Sequence, residues 1–143
     1  SSAASDVYKR QHQLTISSPL KFIKEFPEGD VFVHIDNMRM TQVITNFLNN
    51  AKKFTKSGHI KLGYRHQPAS REVHIFVEDT GAGIPKEELQ IIFDRFYKHN
   101  EFAQGVGLGL SICKVIVGKM QGRIEVTSEI NKGSRFTVVL PCL

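Results

Sequence analysis

The sequence predicts an α/β domain in which a mixed sheet carries helices layered on one face. Two observations point there. Short segments alternate apolar and polar residues with the period of a strand, and two longer segments repeat apolar residues every three or four positions. The strand pairs and the long helices also interleave along the chain, the order expected of a layered α/β fold rather than a bundle or a sandwich of sheets.

The elements follow in order. The first nineteen residues are Ser-rich and weakly patterned, opening Ser-Ser-Ala-Ala-Ser with no initiator Met. Residues 1–19 read as a linker, an expression-derived start or the tail of a preceding helix, and 20–143 as the globular domain. Lys21 to Phe26 and Val31 to Ile35 read as two strands around the turn Pro27-Glu28-Gly29-Asp30. From Asp36 the period changes. Met40, Val43, Ile44, Phe47, Leu48, Ala51 and Phe54 mark an amphipathic helix that ends before Gly58. Two alternating strands follow, Ile60-Leu62-Tyr64 and Val73-Ile75-Val77, joined by Gln67-Pro68-Ala69-Ser70. After the glycine-rich stretch Asp79 to Pro85, a short helix is predicted through Leu89, Ile92 and Phe93. Residues 97–106 read as a polar loop. Leu108, Ile112, Val115 and Ile116 define a second long helix stopped by Gly122. Ile124 to Ile130 and Arg135 to Leu140 are the last two strands, around Asn131-Lys132-Gly133.

Bulk properties narrow the class. At 143 residues, 41% hydrophobic and 23% charged, the chain fits one globular domain with a single core. No apolar run approaches the ~18 residues of a membrane span, so this stretch is expected to make no membrane contact. Its net charge of +5 is spread along the chain without a basic, aromatic-interleaved stripe, which argues against a nucleic-acid partner. Six scattered histidines lack metal-ligand spacing. Cys113 and Cys142 lie in apolar surroundings and read as buried, reduced thiols, which suits the cytoplasm.

Three motifs carry candidate chemistry. Asn46 and Asn50 stand one turn apart on the first long helix, with Lys53 on the same face. A carboxamide oxygen is a neutral hard ligand suited to Mg²⁺, and an ammonium beside it would neutralise phosphate. Solvated surface asparagines are the plain alternative, although Asn is a mediocre helix former. Asp79-Thr80-Gly81-Ala82-Gly83-Ile84 ends an apolar strand. Its glycines let backbone approach a flat ligand, and Asp79 could accept from an exocyclic amine. Alone, this motif reads as an ordinary turn-rich loop. Gly105-Val106-Gly107-Leu108-Gly109-Leu110 opens the second long helix, where free N–H groups attract phosphate. It is neither a Walker A loop nor a dinucleotide fingerprint.

Together, and with Phe93-Asp94-Arg95-Phe96 and Gly133-Ser134-Arg135-Phe136, these motifs run in a specific order. From about Asp36 to Pro141 the chain resembles the ATP-binding catalytic domain of bacterial two-component sensor histidine kinases. That family belongs to a superfamily with gyrase B, the Hsp90 chaperones and MutL. The resemblance implies a two-layer α/β sandwich, the Bergerat ATP-binding fold, with a mostly antiparallel sheet. It implies ATP and Mg²⁺ as cofactors, with Asn50 as the metal ligand and Lys53 reaching toward phosphate. Phe54 belongs to the same box. Asp79 would read the adenine amine in a pocket shaped by Gly81, Gly83 and Ile84. Ser134 would support Asp79 through its hydroxyl and an ordered water. Gly105, Val106, Gly107, Leu108, Gly109 and Leu110 would lie beside the phosphates, under a short lid over 97–104 in which Lys98 is available to them.

The resemblance also separates two activities. Superfamily ATPases place a general-base Glu four residues before the metal-binding Asn, and this chain has Asn46 there. A neutral amide is a poor base, so transfer to an already nucleophilic imidazole is favoured over hydrolysis. Protein-histidine kinase is therefore the expected activity, with Asn46, Asn50 and Lys53 in catalytic roles. A superfamily-type ATPase or nucleotide-operated clamp is the alternative, ahead of an interaction module without nucleotide. No phosphoacceptor box is present, and His12, followed by Gln-Leu-Thr, lacks that context. The expected partners are thus a phosphoacceptor helical domain of the same kinase and a downstream response regulator. The fragment is expected to be monomeric and its parent a homodimer. The catalytic portion is expected in the cytoplasm, whether or not the parent is anchored in the inner membrane.

Overall fold

The computed structural model describes residues 2–15, 19–29, 31–33, 35–94 and 109–142. Five strands form one sheet in the order β1-β2-β3-β5-β4, and three helices pack on one of its faces. The strands are β1 (Leu20–Glu25), β2 (Gly58–Gln67), β3 (Glu72–Asp79), β4 (Arg123–Glu129) and β5 (Gly133–Pro141). The helices are α1 (Ser2–Thr15), α2 (Asn37–Phe54) and α3 (Gly109–Lys119), with a single 3₁₀ turn at Pro68–Ser70. Only the β1–β2 pair is parallel, so the sheet is mixed and mostly antiparallel. This is the two-layer α/β sandwich.

Alternation along the strands explains the layering. Val73, Ile75 and Val77 of β3, and Phe136, Val138 and Leu140 of β5, face the helices and join one core with Ile60 and Leu62 of β2. The residues between them face the other way. There Phe76 is 1% exposed because the guanidiniums of Arg135 and Arg65 cover its ring, 4.1 and 5.6 Å from the centroid. Lys61, Glu78, Glu25 and Arg65 continue this charged layer.

Helix α2 supplies the other half of the core. Asp36 caps it, its carboxylate accepting from Met38 N at 2.9 Å and Arg39 N at 3.2 Å. Met40, Val43, Ile44, Phe47, Leu48 and Ala51 form its buried stripe, while the last apolar residue of the pattern, Phe54, is half-buried. Helix α3 buries Cys113, Ile116 and Val117 and ends in a Schellman arrangement. Gln121 N donates to Gly118 O and Gly122 N to Val117 O, both at 3.0 Å. The left-handed residue is Gln121, φ 63°, so Gly122 stands one position beyond the stop.

Of the readings open for 1–19, residues Ser2–Thr15 take the helical one and set Ala3, Ala4, Val7 and Gln11 against the sheet and α2. The structure departs from the sequence expectation in two places. The described residues of 31–35 are not a strand. Strand β1 instead lies parallel to β2, Phe22 opposite Ile60, which leaves it no need of a hairpin partner. Residues 86–94 form successive turns rather than a helix: Glu88 N bonds Pro85 O, Ile92 N bonds Glu88 O and Asp94 N bonds Ile91 O. Ile92 is nonetheless buried as that periodicity implies.

Candidate functional site

The candidate site lies where α2, the end of β3, the β4–β5 hairpin and the start of α3 meet. Asp79, the last residue of β3, is paired in register with Ser134 of β5 and Ile60 of β2. It is 8% exposed. Its Oδ1 accepts the Gly81 N–H at 2.9 Å. Burial pushes this carboxyl above its ordinary value, and backbone N–H groups of Gly81 and Ser134 and the Thr55 hydroxyl act against that rise. A carboxylate held in this way retains capacity to accept a hydrogen bond from an amine-bearing planar base.

The loop that follows is tied to three elements. Thr80 N donates to His59 O of β2 at 3.1 Å, and Ala82 N donates to Phe54 O at the end of α2 at 3.2 Å. Asn131 N of the hairpin donates back to Ala82 O at 2.8 Å. Two glycines are required by close approach. A Cβ on Gly81 would collide with the Phe54 carbonyl, and one on Gly133, φ 124°, would collide with the Asp79 carbonyl. Gly83 and Ile84 lie in the same loop, where Ile84 N donates to Ser128 Oγ at 2.7 Å.

Ser128 is a residue that sequence reasoning missed. It faces inward from β4, 3.1 Å from Gly133 O and 2.9 Å from Ser134 Oγ. The Ser134 hydroxyl lies 2.9 Å from Ser128 Oγ, and Ser134 stands opposite Asp79 in the β3–β5 register. Thr55 closes the box that begins at Asn46, but the sequence assigned it no role; it is the residue just past α2, 3% exposed. The inward parity of β4 was the available signal for Ser128.

The second half of the site lies along α2. Asn46 and Asn50 are half-buried and Lys53 is exposed, all on the flank beside the core stripe. Asn46 Nδ2 reaches across to α3, 3.4 Å from both Gly109 O and Cys113 Sγ. An amide engaged as a donor to a helix carbonyl is a brace between α2 and α3. Burial pushes the Cys113 thiol to about 11, which keeps it neutral and unreactive. The Asn50 amide, by contrast, has no partner among the described residues and can offer its oxygen to a cation. Gly109 opens α3 and Leu110 packs against the core. Lys98, Gly105, Val106, Gly107 and Leu108 lie outside the described residues.

Among the described residues, no group of three or more His, Cys, Asp or Glu side chains could hold a metal ion. Nor is any helix long and apolar enough to cross a membrane. The donor set fits a nucleotide-bound cation, which needs few protein ligands, rather than a protein-caged one.

Comparison with known proteins agrees with this geometry. Residues 35–143 match the family model for histidine kinase-, DNA gyrase B- and HSP90-like ATPases. The sensor protein SrrB of Staphylococcus aureus (strain NCTC 8325) is 43% identical over 110 residues, covering 74% of this chain and 19% of that protein. The catalytic domain of the histidine kinase ThkA, solved free of nucleotide, superposes with a TM-score of 0.84. It is 29% identical, over 98% of this chain and 92% of that one. Full-length ShkA, solved in complex with AMPPNP, gives a TM-score of 0.87 at 25% identity, over 99% of this chain and 29% of that one. The chain therefore belongs to the family of histidine kinase-, DNA gyrase B- and HSP90-like ATPases, and its relatives there are sensor histidine kinases.

Proposed function

We propose that this chain binds Mg-ATP and donates the γ-phosphoryl group to a histidine on a separate phosphoacceptor helical domain of the same kinase. The observation that carries this reading is the state of Asn46. At the position where a hydrolytic relative needs a carboxylate base, an amide is turned onto α3 and donates to Gly109 O and Cys113 Sγ. A neutral amide is a poor base for taking a proton from water. Transfer to a neutral imidazole needs no such base; it needs alignment and charge stabilisation.

The residues divide that work. Asp79, with Gly81, Gly83 and Ile84 around it, accepts the adenine amine and rejects a base with an oxygen there. Asn50 offers its amide oxygen to Mg²⁺, and Lys53 supplies positive charge on the same flank. Mg²⁺, when bound, neutralises charge developing on the β- and γ-phosphates. Gly109 and Leu110, at the N-terminus of α3, would lie beside the phosphates; the same role is proposed for Gly105, Val106, Gly107, Leu108 and Lys98, which lie outside the described residues. The wider setting belongs to the same proposal: a homodimeric parent, a response regulator that takes the phosphoryl group onward, and a cytoplasmic position for this domain.

The test is phosphotransfer in trans. Supplying the parent's helical domain with labelled ATP and this chain is expected to label one histidine, with little phosphate release when the acceptor is absent. Rapid Mg-dependent phosphate release by the chain alone would instead identify a hydrolase.

A further inference from the structure

We propose that Thr55 is a positioning residue of the base-reading site, its buried hydroxyl supporting Asp79 as an ionised acceptor. This rests on the nucleotide reading above and gives a role to the last residue of the asparagine box, to which the sequence assigned none.

The geometry begins with an orphan. Thr55 is 97% buried, since 3% is exposed, and its Oγ1 has no hydrogen-bond partner among the described residues. Buried hydroxyls without partners are uncommon and ask for a cause. Thr55 follows α2 directly, in an extended conformation at φ −127°, ψ 108°. A threonine ending a helix would ordinarily bond back to a backbone carbonyl, and this one does not. It sits instead under the loop after β3. Gly81 comes so close that a Cβ there would lie 2.5 Å from Thr55 Oγ1. The same Gly81 donates its N–H to Asp79 Oδ1. Gly81 thus adjoins both the Thr55 hydroxyl and the Asp79 carboxylate.

Counting acceptor sites shows what the hydroxyl is for. A carboxylate offers about four lone-pair positions. The Gly81 and Ser134 N–H groups serve Asp79 from the backbone, and the base amine would take another. A rotatable hydroxyl from the α2 side is the remaining donor. Burial raises the Asp79 carboxyl, and the Thr55 hydroxyl, turned onto it, would pull it back down. Charged neighbours do not supply that support. Glu78, on the same strand, opposes ionisation of Asp79, and it is itself flanked by Lys61 of β2 at 3.9 Å and Arg135 of β5 at 3.6 Å. His59 on β2 touches the loop through Thr80, bonding its N–H and hydroxyl through backbone. On the α2 side the flanking charges, Lys53 and Lys56, are exposed.

Thr55→Val is the informative variant, because it keeps the branched shape and removes only the hydroxyl. The carboxyl of Asp79 is titrated by ¹³C NMR in the free chain for wild type, Thr55→Val and Thr55→Ser, alongside ADP affinity over the same pH range. The expected result is a folded Thr55→Val protein whose Asp79 titrates at higher pH, with ADP bound about three- to tenfold more weakly at neutral pH. Thr55→Ser should restore both values. An Asp79 carboxyl indifferent to Thr55→Val, or an equal shift in Thr55→Ser, overturns the assignment. Because the carboxyl is read without nucleotide, a wild-type chain that fails to bind ADP would overturn the nucleotide reading instead, and the two failures stay distinct.

Discussion

The two halves of the site are built differently. On the proposed base side, Asp79 is 8% exposed and Thr55 3%, and the loop between them is pinned by backbone bonds to β2, α2 and the hairpin. On the proposed phosphate side, Asn46 and Asn50 are half-buried and Lys53 is exposed on one helix flank, with a brace from Asn46 to α3. The difference fits what each half is proposed to recognise. A neutral flat base is told from its analogues only by buried, pre-placed polar groups, whose mismatch is costly. Phosphate and its cation are held by charge, which acts at longer range and tolerates solvent. Selectivity is therefore expected to reside in the sheet end and catalytic competence in the helix flank.

Variants can break that division or sharpen it. Leu48→Ala, in a fully buried position of α2, should cost about 2–5 kcal/mol in denaturant unfolding and weaken both halves together. Gly133→Ala should cost about 2–5 kcal/mol, from strain at φ 124° and collision with the Asp79 carbonyl, and its binding loss should fall on the base side. Asp79→Asn should lower ADP affinity roughly tenfold or more and erase the preference for ADP over GDP in calorimetry. An unchanged preference would remove Asp79 from base recognition. Asn50→Ala should leave Mg-free ADP binding near wild type while the enhancement by Mg²⁺ disappears, a loss of about tenfold. If both bindings fell equally, the two halves would not be separable.

The smallest effect is one of pH. Asp79 in the free chain titrates above its ordinary value of 3.8, because burial disfavours the charged form. A base amine binds the ionised form. ADP affinity should therefore be full above the raised value and fall as pH drops through it. The free fold has the opposite slope from this group: it gains stability on protonation and loses that gain as pH rises through the same window. Asp79→Asn should flatten both responses.

Particular residues show how much was legible. The stripe from Met40 to Ala51 was readable because each member recurs at helical spacing, and the structure buries all six of those positions. Strands β3 and β5 were readable from the alternation of Val73, Ile75 and Val77 and of Phe136, Val138 and Leu140, although Phe76 and Val139 interrupt it. The helix Ser2–Thr15 was legible only as one of the readings open for 1–19, since its inward residues include Ala3, Ala4 and Gln11, which carry little hydrophobic signal. The parallel seat of β1 against β2 was invisible. It depends on a partner strand more than thirty residues away, whereas the sequence offered a nearer hairpin partner at 31–35.

The sequence by itself determined the periodic elements and the ordered motifs, because side-chain spacing and turn residues act over a few positions. Only the tertiary structure decided which groups share a contact. Register placed Asp79 opposite Ser134, gave the Ser134 hydroxyl to Ser128, and turned Asn46 onto α3. It also enclosed the Thr55 hydroxyl beneath Gly81. Those pairings join positions up to 67 residues apart, and only burial and strand register, which are properties of the whole chain, bring them within bonding distance.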